Sequence, residues 1–129
     1  MALPCLSRPR AARPERSRDN VRRVPDLEED RRVLDRVCDR LRSASDTRLS
    51  RPDDRLPAGS VSAEVHALAE WAAAAQGVGD PVPRLHPLAS ADQLSVVGGD
   101  FLDWVAGADD PEVVLEEWRA RIGRLRVVV

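Results

Sequence analysis

The chain reads as an all-α protein: a small antiparallel four-helix bundle preceded by a disordered, Arg/Pro-rich N-terminal arm. Three observations predict this. Apolar residues recur at three- and four-residue spacing in four separate stretches, as one face of a helix requires. Alanine and leucine are abundant, while aromatics make up only 3% of the chain (three Trp, one Phe, no Tyr), which favours helices over sheets. Residues that start or stop helices bound each stretch, whereas residues 1–24 show no periodicity at all.

A chain of 129 residues is one domain, large enough for a core without staples. Its formal net charge of −2 is unevenly spread. Residues 1–24 hold seven Arg against Glu15 and Asp19, a net +5, so residues 25–129 carry −7. Every basic residue is arginine, which matches GC-rich coding better than a functional choice. The first segment is too polar to offset its ordering entropy, so it reads as a disordered basic tail. Residues 25–129 form the helical domain. Two cysteines make no disulfide framework, and a reducing cytoplasm suits them. No stretch approaches the ~20 apolar residues that span a bilayer, and the start lacks the apolar segment of a secretory signal.

The first helix is expected over residues 26–50. Asp26 and Glu29 resemble a capping box, and Leu27, Leu34, Val37, Cys38, Leu41, Ala44 and Leu49 make its stripe. It must end by Ser50, because Arg51 precedes Pro52. Residues 51–59 form a loop. Ser60 caps the second helix, 60–76, with Val61, Val65, Leu68, Ala72 and Ala75 facing inward and Gly77 as its stop. Residues 78–89 carry three prolines and read as an extended linker.

The third helix, 90–106, is the expected packing centre. Ser90 and Gln93 form a second capping-box pattern, and Gly107 suits a left-handed cap. Leu94, Val97, Phe101, Leu102, Trp104 and Val105 share one face; Asp92, Asp100 and Asp103 share the other. Gly98 falls in the apolar arc, where a missing side chain permits a close helix crossing, and the alanine-rich second helix is its expected neighbour. Gly99 falls on the polar side. The rival reading, a hairpin turning at Gly98-Gly99, lacks the period-two flanks it needs. The fourth helix, 110–126, starts at Asp110-Pro111 and buries Val114, Leu115, Trp118, Ile122 and Leu125. Glu117 and Arg121 make an i,i+4 pair on it.

No constellation carries chemistry. His66 and His86 lie on different elements, and Glu64-Val-His66 is one residue short of the Glu-x-x-His spacing of a di-iron bundle. No nucleophile elbow or phosphate-binding loop occurs. The expectation is a protein that is not an enzyme, without cofactor or metal, and cytoplasmic. Trp118 sits centrally on its stripe and belongs to the core. Trp71 and Trp104 sit at the edges of theirs, where they complete the core rim or serve as interface residues, a position in which Trp is enriched. Two functional readings follow. The first is a non-catalytic protein-interaction or regulatory module, with itself or another protein as partner and no membrane. The alternative is a nucleic-acid-associated protein using the arginine arm, which the acidic body opposes.

Overall fold

The computed structural model describes residues 25–129; the disordered arm expected over 1–24 lies outside them. The described residues are all-α, with no strand among them. Four substantial helices and one short one follow in order: α1 (Glu28–Ser43), α2 (Asp46–Ser50), α3 (Val61–Ala75), α4 (Ser90–Val105) and α5 (Pro111–Val128). A 3₁₀ turn, Pro87–Ala89, leads into α4.

The expected first helix is broken. Ala44 takes an extended conformation, and Ser45 starts α2 by accepting from the Arg48 N–H at 3.1 Å. Two serines close together compete for backbone hydrogen bonds and so end one helix and begin another. The expected capping boxes also fail to close. Asp26 Oδ1 does accept from the Glu28 N–H at 3.0 Å, but Glu29 reaches forward to Arg32 and Arg36 instead. Ser90 is already inside α4, which the 3₁₀ turn nucleates, and Gln93 Nε2 donates to the Pro83 carbonyl at 3.1 Å. Asp110 stands at the N-cap position of α5 but makes no side-chain cap bond. The start of α3 is as expected, with Ser60 Oγ accepting from the Ala63 N–H at 3.2 Å.

Helix ends divide the same way. Gly77, at φ +76°, closes α3 in a Schellman motif: the Val78 N–H donates to Ala73 O and the Gly77 N–H to Ala74 O. Gly107 is not left-handed; α4 tightens into i→i+3 bonds from Gly107 to Trp104 and from Ala108 to Val105. Such bonds satisfy the last carbonyls without a positive φ.

One core joins every helix. Leu34, Val37, Cys38 and Leu41 of α1 meet Val65, Leu68 and Ala72 of α3, Leu94, Phe101 and Leu102 of α4, and Leu115, Trp118, Ile122 and Leu125 of α5. Leu49 plugs it from α2, and Leu56 from the loop between α2 and α3. That loop is compact rather than loose. The Asp53 N–H donates to Gly59 O at 2.8 Å, and the Ala58 N–H to the buried carboxylate of Glu64 at 3.0 Å.

α4 lies between α1 and α3. It runs antiparallel to α1: Arg31 at the start of α1 binds Asp103 at the end of α4 (2.8 Å), while Arg42 approaches Asp92 at 4.0 Å. α3 and α5 are likewise opposed, Glu64 lying near Arg124 and Trp71 under Arg121. The consecutive helices α3 and α4, however, run side by side in the same sense. Residues 76–89 are long enough to return along α3, and polar side chains fasten them: His66 Nε2 lies 3.1 Å from Val82 O, and Gln93 holds Pro83.

Candidate interaction surface

Phe101 sits on the inward arc of α4 and is fully buried. Helical spacing places Trp104 one turn further along, and the two rings lie 5.9 Å apart. The α3 stripe delivers Trp71 to the same ring, at 5.2 Å. From α5, Trp118 stacks on Phe101 at 4.9 Å with the planes 19° apart. One phenylalanine thus touches all three tryptophans. Trp118 is fully buried, and its indole N–H has no hydrogen-bond partner among the described residues. Trp71 and Trp104 are each partly exposed. The sequence marks these two separately as candidate interface residues; the structure brings both against one buried ring.

The surface has a polar frame. The Arg121 guanidinium lies 5.2 Å from the Trp71 ring centroid and is held by Glu117 at 2.8 Å. A cation–π contact at such a partly exposed site contributes on the order of 1 kcal/mol. Around the end of α4 and the first half of α5, carboxylates dominate. Residues 99–118 contain seven acidic side chains and no arginine. Asp103 and Glu117 are paired with Arg31 and Arg121. Asp100, Asp109, Asp110, Glu112 and Glu116 are exposed and form no ion pair among the described residues. Val113, amid these acids, is 67% exposed.

Gly98 does not belong to this surface. It is buried, and a Cβ there would lie 2.8 Å from both Leu34 Cδ atoms and 3.1 Å from Trp118 Cη2. The close crossing therefore faces α1 and α5, and not the alanine-rich α3 expected from the sequence. Toward α3 it is Phe101, one turn along from Gly98, that makes contact, its ring 5.2 Å from that of Trp71.

Sequence reasoning missed two buried carboxylates. Asp30 binds Arg119 in a two-pronged pair, Nε to Oδ1 at 2.9 Å and Nη2 to Oδ2 at 2.8 Å. This bond holds the Arg119 guanidinium above its ordinary pKa. Glu64 anchors the Ala58 N–H. Both acids lie on their helices' apolar stripes, three residues after Leu27 and Val61, so the signal was present in the spacing.

Elsewhere the chemistry is sparse. The Cys38 thiol is pushed up to about 11 by burial, the opposite of what an attacking thiolate requires. His66 binds the Val82 carbonyl, and His86 Nδ1 accepts from the Leu88 N–H. Among the described residues, no group of three or more His, Cys, Asp or Glu is placed to hold a metal ion. None of the described helices is long and apolar enough to cross a membrane. A shallow depression of ≈ 300 Å³ is lined by Asp39, Arg40, Ser43, Ala44, Arg48 and Val129, without a convergent nucleophile and base. Comparison with protein-family models, curated proteins and solved structures finds no match to this chain.

Proposed function

We propose that the chain is a non-catalytic protein-interaction module whose contact surface is the Trp71–Trp104 edge of the helical domain. The observation that carries this reading is the convergence of two partly exposed indoles on one buried ring, Phe101. A rigid aromatic pair backed by packed core offers contact area at small ordering cost, the character of interface anchors. The exposed carboxylates of residues 99–118, five of them without an ion pair among the described residues, select a partner segment that is basic and apolar rather than acidic.

The test compares wild type with Trp71→Ala and Trp104→Ala in light scattering and in cross-linked capture of partners. Self-association, or a defined partner, should be lost in the variants while helical content is retained. A monomer whose captured proteins are the same in all three forms overturns the reading.

A further inference from the structure

We infer that the outward face of α5 is a self-association surface, on which a second copy of this chain lies antiparallel about a two-fold axis at Ala120. This face is not the Trp71–Trp104 edge, and the inference does not rest on that reading. The buried stripe of α5, Leu115, Trp118, Ile122 and Leu125, faces the core. The opposite side is bare. Val127 and Val113 are 75% and 67% exposed, more than any other large apolar side chain among the described residues. Nearly four helical turns separate them, so they share one face. Ala120, midway between them, is exposed as well. At Gly123, one turn further on, a Cβ would meet nothing within 4 Å. A face so low in its middle lets a second helix approach closely. The seven-residue step from Val113 to Ala120 to Val127 is also the spacing of a two-helix seam.

Charge selects both the occupant and its direction. Every acid of α5 precedes Trp118, and every arginine follows it. A parallel copy would set like charges side by side, whereas an antiparallel copy lays each acidic half on a basic half. Rotation about Ala120 brings Val113 opposite the second copy's Val127. It also places Arg126 between the second copy's Glu112 and Glu116. These three charged residues are exposed and form no ion pair among the described residues. Two-fold symmetry makes each contact twice, as a closed interface requires. The helix has 18 residues, or ~27 Å of length. A face one helix wide and that long belongs with small, transient interfaces.

The experiment follows the full chain by light scattering and sedimentation from ~10 µM to ~1 mM, the range suited to so small an interface. The mass should rise toward twice that of the monomer. Arg126→Glu should weaken association by about ten-fold or more, and so should Glu112→Arg combined with Glu116→Arg. All three sites are exposed, so helical content should be unchanged. Mixed in equal amounts, the two variants should regain wild-type association, because each supplies the charge the other has reversed. Direction is read from single cysteines in a Cys5→Ser background, Cys38 being buried. A short bismaleimide should link Ala120→Cys to itself. It should join Val113→Cys only to Val127→Cys, since two copies of residue 113 stand ~21 Å apart in the antiparallel pair.

A chain that stays monomeric at ~1 mM overturns the proposal, as does a dimer that neither charge variant weakens. Linkage of Val113→Cys to itself overturns the antiparallel pairing. The two readings fail separately. A dimer dissolved by Trp104→Ala and untouched by the α5 variants refutes this face and leaves the tryptophan surface standing. A dimer lost in the α5 variants, with partner capture indifferent to the tryptophans, does the reverse.

Discussion

Gly98 on α4 lies directly against Leu34 on α1, so close that a Cβ would sit 2.8 Å from both leucine methyls. Trp118 Cη2 closes the other side at 3.1 Å. Gly98→Ala should therefore destabilise the fold by ~1–2 kcal/mol: overpacking costs ~1–3 kcal/mol, partly offset by the helix preference for alanine. Gly98→Leu, which adds more atoms at the same contact, should destabilise more strongly than Gly98→Ala. Gly99, its neighbour, faces open space, and Gly99→Ala should stabilise by up to ~1 kcal/mol. Denaturant midpoints of the three variants check this, and equal tolerance of Ala at both positions would contradict it.

The Asp30–Arg119 pair predicts strong non-additivity. Arg119→Met leaves a buried carboxylate unpaired and should cost ~1–3 kcal/mol. Asp30 sits on the apolar stripe with Leu27 and Leu34, so Asp30→Leu combined with Arg119→Met should return close to wild-type stability, as apolar replacement of buried pairs often does. A double-mutant cycle measures the coupling.

Glu64 is a loop anchor more than an ion-pair partner. It accepts from the Ala58 N–H at 3.0 Å, whereas Arg124 stands off at 3.9 Å. Glu64→Gln keeps a carbonyl oxygen for Ala58 and should cost under ~1 kcal/mol; Glu64→Ala orphans a backbone donor and should cost ~1–3 kcal/mol. Hydrogen exchange of the Ala58 amide should rise sharply in the second variant only.

Two groups set opposite ends of the pH profile. Cys38 is held neutral up to about 11, while a thiol in the unfolded chain ionises near ~8.5. The folded pKa is the higher one, so this contribution is complete below the unfolded value. It is lost as pH rises toward 11. Cys38→Ala should flatten the alkaline limb of a stability–pH curve. Asp53 is the reverse case. Its hydrogen bonds from the Arg55 side chain and then from the Arg55 N–H hold it below the usual carboxylate range. That contribution is present above the ordinary aspartate pKa and lost in acid, an effect Asp53→Asn should remove.

Periodicity identified nearly every core residue, because apolar burial follows helix geometry and needs no partner to be recognised. Leu34, Val37, Phe101, Trp118 and Leu125 are read from spacing alone and are buried. What spacing could not supply is the identity of the neighbour. Gly98 was expected against α3 and meets α1 and α5, because the angle at which helices cross depends on side chains from other segments. Capping boxes failed at Ser90 and Asp26 for a similar reason. A preceding 3₁₀ turn or a nearby arginine offered their side chains and backbone better partners than the pattern foresaw. Trp71 and Trp104 were visible as stripe-edge residues, but the approach of Trp71 to Phe101 depends on how α3 and α4 pack against each other. Nothing local to either helix encodes that.

The returning segment of residues 76–89 has a kinetic consequence. Helices that are consecutive and antiparallel can assemble as a hairpin, with contacts near in sequence. α3 and α4 cannot, since the chain must first double back along α3 and be caught by His66 and Gln93. Loop closure must precede the contacts that reward it, and such non-local steps slow folding relative to simple up-and-down bundles. Formation of the Trp71–Phe101 pair should accordingly be among the last events of folding, so the edge that carries Trp71 and Trp104 matures only when the rest of the domain is already in place.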